Sequence, residues 1–250
     1  MITCIVLAAG MSRRMGEANK MLLPFGNSTI FETTLFNISQ ADMGEVVVVV
    51  GFEAEKIKKI MDSEQWTMDN GQSAMDNGQS AMDNGQSAMD NGQWTMDNGD
   101  STIVHCPLYS VHCHENKDYE HGMTSSIKVG IHATEIRNPK SKIPFMICLS
   151  DMPLISPEEY QFLAAQFSAI SKGDKQAIVV PFFKGEKGNP VIFSPFYKKA
   201  LLHLSDTEGG KSILQQYKKH VYKIDMPTDS VLRDADTKED YERLLKDNYT

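Results

Sequence analysis

Thr3-Cys4-Ile5-Val6-Leu7-Ala8-Ala9-Gly10 is the stretch on which the fold turns. Thr3–Ala8 carries no charge, is rich in β-branched residues, and stops at Ala9-Gly10. A strand with one wet face would alternate apolar and polar residues. This one does not, so both of its faces must be covered, as in a buried parallel strand. A polar, arginine-rich, glycine-punctuated loop follows from Gly10 to Phe25. Ser28 is placed to cap a helix reaching about Gln40, with Ile30, Thr33, Thr34, Leu35 and Ile38 on its inner face. Glu45–Val50 (EVVVVV) makes a second buried strand closed by Gly51, and Glu53–Met61 has helical periodicity through Ile57 and Ile60.

Strand character resumes between Ile103 and His114, and Met123–Thr134 reads as a helix with Ile127, Gly130 and Ile131 inward. Ile143–Leu149 (IPFMICL) is another buried strand, ending in Ser150-Asp151-Met152-Pro153. Pro157 opens a helix in its first turn, where a missing N–H costs nothing. Short strands at Ala177–Val180, Pro190–Phe193 and Val221–Ile224 alternate with helices near 195–203, 210–218 and 237–246. Alternation with fully apolar strands predicts the α/β class: an open, mostly parallel sheet with helices on both faces. No linker composition divides the chain. We expect one domain over residues 1–250, interrupted by an insert at 65–99.

That insert distorts the composition. The 250 residues carry 25 basic and 33 acidic side chains, a formal charge of −8. Residues 65–99 are five copies of the heptad Gln-x-x-Met-Asp-Asn-Gly, with five Asp, both tryptophans (Trp66, Trp94) and no other charge. The remaining 215 residues have 25 basic against 28 acidic groups, a net −3. A body so nearly balanced has no basic stripe for a nucleic acid. No run approaches the roughly 20 apolar residues of a membrane span. The opening MITCIVLAAG has no charged leader or cleavage site, and four cysteines are too few for a disulfide scaffold at this length. A cytoplasmic protein is expected, with Cys4 and Cys148 as small core residues. The heptad lacks the apolar a and d positions of a coiled coil, and Asp-Asn-Gly favours a tight turn once per copy. A flexible excursion is expected; a stack of turn units is the other reading.

In sheets of this kind ligands bind beyond the carboxyl ends of the strands, at the point where strand order reverses. The first strand delivers Leu7, Ala8, Ala9, Gly10 and Ser12, then Arg14 and Lys20. Small residues let backbone N–H groups approach a ligand, and Ser12, Arg14 and Lys20 add donors and two cations. A triphosphate needs that combination; a solvated basic loop needs only the composition. Asp151 stands at the carboxyl end of a buried strand, and Asp234-Ala235-Asp236-Thr237 precedes a helix. Mg²⁺ is commonly held by one or two carboxylates plus phosphate oxygens. Asp236 as an ordinary helix N-cap, with Asp240 in the first turn, is the competing explanation.

The pattern LAAG-x-S-x-RMG-x3-K-x-LLP, from Leu7 to Pro24, resembles the opening motif of nucleotidyltransferases that activate pterin cofactors and sugar phosphates. Asn116-Lys117-Asp118-Tyr119, Gly122-Met123-Thr124-Ser125-Ser126-Ile127, Leu149-Ser150-Asp151-Met152-Pro153, Gly188-Asn189-Pro190-Val191-Ile192-Phe193, Gly209-Gly210-Lys211 and Asp234-x-Asp236-Thr237 follow in order. Together they are similar to the molybdenum cofactor cytidylyltransferases, within the MobA-like NTP transferases. The resemblance implies a Rossmann-like, nucleotide-diphospho-sugar-transferase-like fold and transfer of CMP from CTP to a molybdopterin-type phosphate, with release of pyrophosphate. It implies that Arg14, Lys20 and Asp151 are catalytic, and that Asp151 and Asp236 carry Mg²⁺. Leu7, Ala8, Ala9, Gly10, Ser12, Arg14, Lys20 and Ser126 would bind the nucleotide, and the block Gly188–Phe193 would line the acceptor pocket. The Gly16-to-Lys20 interval is one residue longer than in many relatives, which leaves the reach of Lys20 open. Within the same superfamily the alternative is a GTP- or sugar-phosphate-specific enzyme. Outside it, the alternative is a nucleotide-retaining binding protein whose insert recruits a molybdoenzyme or its chaperone. Neither nucleic acid nor membrane is expected as a partner.

His105, Cys106, His112, Cys113 and His114 fall within ten residues and raise the question of a metal. Their Cys-x6-Cys spacing is not that of a structural zinc site, and strand alternation would put His112 and His114 opposite Cys113.

Overall fold

The computed structural model describes residues 1–15, 19–62, 101–106, 109–137, 142–205 and 209–248. The heptad block 65–99 lies outside the described residues, as do Gly16 and the side chains of His105 and Cys106. The strands are β1 (Thr3–Ala8), β2 (Pro24–Phe25), β3 (Ser28–Thr29), β4 (Val46–Val50), β5 (Ser101–Cys106) and β6 (Tyr109–Glu115). They continue as β7 (Phe145–Leu149), β8 (Ile178–Phe183), β9 (Glu186–Lys187), β10 (Val191–Phe193) and β11 (Val221–Asp225). The helices are α1 (Ile30–Gln40), α2 (Ala54–Met61), α3 (Met123–Arg137), α4 (Pro157–Gly173), α5 (Lys198–Leu202), α6 (Gly209–Gln216) and α7 (Lys238–Asn248).

Among the described residues nine strands form one sheet, ordered β11-β8-β10-β7-β1-β4-β6-β5 with β9 on β8. β6, β4, β1 and β7 run parallel, in register Cys4↔Val46 and Cys4↔Met146 on the two sides of β1. β10 lies antiparallel between β7 and β8, and β5 is antiparallel on the edge. The expected α/β sheet is present, as a mixed one. Every residue of β1 and of β4 is buried. Cys4, Val6, Ala8, Val46, Val48 and Val50 face a core built with α1, α2 and α4. Ile5, Leu7, Val47 and Val49 face a second core built with α3, α5 and α6. Two-sided burial is why these strands are apolar throughout rather than alternating. Gly130 lets α3 lie directly on β1, because a Cβ there would collide with the Ile5 side chain.

One local expectation shifts. The cap of α1 is Thr29 rather than Ser28: its hydroxyl accepts from the Glu32 N–H, while the Glu32 carboxylate accepts from the Thr29 N–H. That reciprocal pair satisfies two end donors at once, and Ser28 is used instead in the β2–β3 hairpin. At α4 the expectation holds, with Pro157 in the first turn behind a Ser156–Glu159 capping box. No helix among the described residues is long and apolar enough to cross a membrane.

Candidate active site

The chain leaves β1 to build one flank of the sheet (β4, β6) and returns to place β7 on the other flank. The reversal therefore falls between β1 and β7, and a cavity of about 470 Å³ opens at their carboxyl ends. Leu7, Ala9, Gly10, Ser12, Arg14, Lys20, Ser126, Asp151 and Asp236 all line it. Ala8 does not: strand alternation turns its methyl into the core beneath.

The loop after β1 is held by its own polar groups. Ser12 sits at φ +50°, a left-handed conformation that a non-glycine residue adopts only when its surroundings fix it. Its hydroxyl accepts from the Lys20 N–H (3.1 Å) and approaches Asn19 Oδ1 (3.4 Å), while Asn19 Oδ1 also accepts from the Met21 N–H. Ser12 is thus a clip within the loop. Met21, 2% exposed, anchors the segment in the core and leaves the Lys20 ammonium directed toward the carboxylates.

Those carboxylates come from opposite ends of the chain. Asp151 is buried at the end of β7, where the Ser150 hydroxyl donates to the Leu7 carbonyl (2.8 Å) and locks β7 to β1. Asn37 holds the turn beyond by donating to the carbonyls of Pro153 and Ile155. The Ala235 N–H donates to the Asp151 carbonyl (3.1 Å), and its methyl is fully buried with Phe25, Ile30 and Leu244. This pins the middle of Asp234-Ala235-Asp236 and sends the side chains on either side of it into the cavity. Asp236 is not the cap of α7. Thr237 and Asp240 form that cap reciprocally, which releases Asp236 for the site.

The Lys20 ammonium bridges Asp151 Oδ2 and Asp236 Oδ1, the latter at 2.6 Å, and Arg14 reaches Asp236 Oδ2 at 2.6 Å. Burial works against the Lys20 charge, but the Asp151 carboxylate and then Asp236 outweigh it and raise its pKa. Burial likewise disfavours the Asp236 anion, yet Lys20 and then Arg14 hold its carboxyl below the ordinary range. Among the described residues no ion pair holds Asp234 as Lys20 and Arg14 hold Asp236, and the attraction of Lys20 only partly offsets what surrounds it. Burial, with Asp151 and Asp236 adding repulsion, pushes it up to about 6.

Asp234 is the residue that reading the sequence missed. Asp151, Asp234 and Asp236 each bring a carboxylate oxygen within 4.8 Å of the others, which makes one cluster of hard oxygen donors. The signal was available: in an extended segment residues i and i+2 share a face, so an Asp-x-Asp that delivers one carboxylate delivers both. Three acids within this radius, one of them reluctant to ionise, fit a divalent cation with a preference for oxygen.

Across the cavity, Ser126 lies in the first turn of α3, which opens at Met123 directly after Gly122. Asn116, buried at the end of β6, donates to Ser125 Oγ (2.8 Å) and Ser126 Oγ (3.0 Å) and accepts from the Asp118 N–H. Asn116 therefore sets the serine pair. The histidine–cysteine stretch behaves otherwise. Cys113 is in the core beside Val48, and His112 registers with Val47 on the opposite face, with Nε2 3.6 Å from Glu45. Among the described residues these side chains join no group of metal-binding geometry; the aspartate trio does.

Comparison with known proteins identifies the family and the fold. The model of the MobA-like NTP transferase domain matches residues 4–221. The molybdenum cofactor cytidylyltransferase of Escherichia coli (strain K12) is 22% identical over 250 residues, covering 100% of this chain and 97% of that protein. A nucleotidyl transferase from Methanothermobacter thermautotroptrophicus superposes with a TM-score of 0.67 at 16% identity, covering 100% and 98% of the two chains. Rv0371C of Mycobacterium tuberculosis H37Rv, in complex with manganese, superposes with a TM-score of 0.60 at 20% identity, covering 98% of each chain. At these identities the structures speak for the fold, and the family match speaks for the chemistry. The chain belongs to the MobA-like NTP transferase family and is a nucleotidyltransferase.

Proposed function

We propose that this enzyme transfers CMP from the Mg²⁺ complex of CTP to the phosphate monoester of a molybdopterin-type acceptor. The observation that carries the reading is the meeting of Lys20 and Arg14 with Asp151, Asp234 and Asp236 at the β1–β7 reversal. The name of the Escherichia coli relative supports the nucleotide and the acceptor. The whole chain is read as one catalytic domain interrupted at 65–99, working in the cytoplasm, where nucleoside triphosphates are made.

An oxygen of the acceptor phosphate attacks the α-phosphorus of CTP, the bond to the β-phosphate oxygen breaks, and pyrophosphate leaves. Arg14 and Lys20 neutralise the triphosphate, and the backbone of Ala9 and Gly10 takes up its oxygens. Asp151, Asp234 and Asp236 would hold Mg²⁺, which supplies positive charge to the reacting and departing oxygens. Ser126, oriented by Asn116, addresses the ribose and base, and the N-terminal turn of α3 presents N–H groups to the same ligand. No covalent enzyme intermediate is required; alignment and charge carry the rate. The test is pyrophosphate release with purified molybdopterin and each of the four NTPs. CTP alone should support turnover, and Asp151→Ala should abolish it in a folded protein. Equal or better use of GTP, or turnover only with a sugar 1-phosphate, would reassign the substrate.

A further inference from the structure

We infer that Lys20 is the built-in counter-cation of the aspartate cluster, and that the divalent metal enters together with the nucleotide rather than ahead of it. The inference rests on the metal-binding role proposed above for Asp151, Asp234 and Asp236, and extends it to the form in which substrate is accepted.

The Lys20 side chain is only 15% exposed and its ammonium contacts both Asp151 and Asp236. Asp151 is 7% exposed, so its charge is poorly solvated and needs a neighbour. Arg14, 71% exposed, takes the outer oxygen of Asp236. Two cations thus already offset most of a three-carboxylate charge. A free divalent ion approaching this cluster meets an ammonium seated among its intended ligands and gains little by joining it. A triphosphate changes the balance. Its oxygens offer Lys20 an alternative partner, and the ammonium needs only to swing, because its backbone stays clipped by Ser12 and Met21. Vacated aspartates then accept the metal that arrives on the nucleotide. By linkage, a nucleotide that draws Lys20 away raises metal affinity, and metal raises nucleotide affinity by the same factor.

Removing the ammonium should therefore tighten binding of metal alone, opposite to what loss of a binding residue usually does. The experiment measures Mn²⁺ affinity by electron paramagnetic resonance of the free ion, without nucleotide, for the full-length protein and its Lys20→Met and Lys20→Arg variants. Lys20→Met should bind on the order of tenfold more tightly than wild type, and Lys20→Arg should stay as weak as wild type. Thermal unfolding provides a second readout: Mn²⁺ should raise the Tm of Lys20→Met more than that of wild type. Adding Asp234→Asn to Lys20→Met should remove the gain, locating it at this cluster. Equal Mn²⁺ affinity in wild type and Lys20→Met, with binding present in both, would overturn the role of Lys20 and leave the metal site standing. Failure of every form to bind Mn²⁺, even with a non-hydrolysable CTP analogue beyond that analogue's own chelation, would remove the metal reading and this inference with it.

Discussion

Asp234 shows how one residue's surroundings determine its chemistry. It stands in a half-buried position beside two other carboxylates, and its charge is the least compensated of the three. Asp234→Asn should relieve that crowding and raise the Tm of the metal-free protein at pH 7 by about 2–4 °C, roughly 1 kcal/mol after allowance for solvent screening. The same variant should weaken Mn²⁺ binding in the presence of nucleotide; a stability gain without that loss would exclude Asp234 as a ligand. The cysteines give a second test at this scale. Burial pushes the Cys113 thiol up to about 12, and Cys148 well above its usual value, and Cys4 is buried beside Cys148. Thiolate is the reactive form. In a Cys106→Ser background no thiol should react with a disulfide reagent within minutes at pH 8 until denaturant is added.

Elements are held to one another by a few polar ties, and these can be cut one at a time. Glu159 closes the α4 capping box and also accepts from the hydroxyls of Thr228 (2.5 Å) and Ser230 (2.8 Å). The segment it grips leads directly to Arg233-Asp234-Ala235-Asp236. Glu159→Ala leaves the buried Ser230 hydroxyl without its carboxylate acceptor, takes away a partner of the exposed Thr228 hydroxyl, and should cost about 1–3 kcal/mol in urea unfolding. On the reading proposed above it should also raise the metal requirement for turnover, whereas Glu159→Gln should recover part of both. At the far end of the sheet Asp174 accepts from Tyr222 and pairs with His220 at 2.8 Å. Burial alone would raise its pKa, but His220, the Gln176 N–H and Tyr222 outweigh burial and hold it below the ordinary range. A depressed carboxyl stabilises the fold above its unfolded pKa and loses that contribution as pH falls. His220→Ala should therefore lower the Tm by about 2–4 °C at neutral pH, with the difference narrowing below about pH 4.

Taken whole, the molecule shows which information was local. β1, β4 and β7 could be read directly because burial on both faces leaves only apolar residues in them, and a loop with Arg14 and Lys20 after the first strand follows from the same logic. The reversed direction of β10 could not be read: three apolar residues, Val191–Phe193, fit either sense, and only pairing with β7 and β8 decides. Asp151 and Asp236 were legible by their places at element ends. Their contact with Lys20, and the recruitment of Asp234, depend on Ala235 docking against β7, a tertiary event with no local mark. The candidate site residues all lie outside 65–99. Deleting that block should leave kcat/KM unchanged within about twofold, and a large loss would show that the repeat participates.

The arrangement of the aspartate cluster bears on how the enzyme matures. Arg14 and Asp236 are 222 positions apart, and α7, which seats Ala235 through Leu244, is the final described helix. A nascent chain that has already folded β1 to β7 holds Asp151 and Lys20 but lacks two of the three carboxylates. Synthesis therefore runs almost to the end of α7 before the cavity acquires its full charge. On the reading proposed above, unfinished or C-terminally clipped chains that keep their sheet are unable to spend nucleotide.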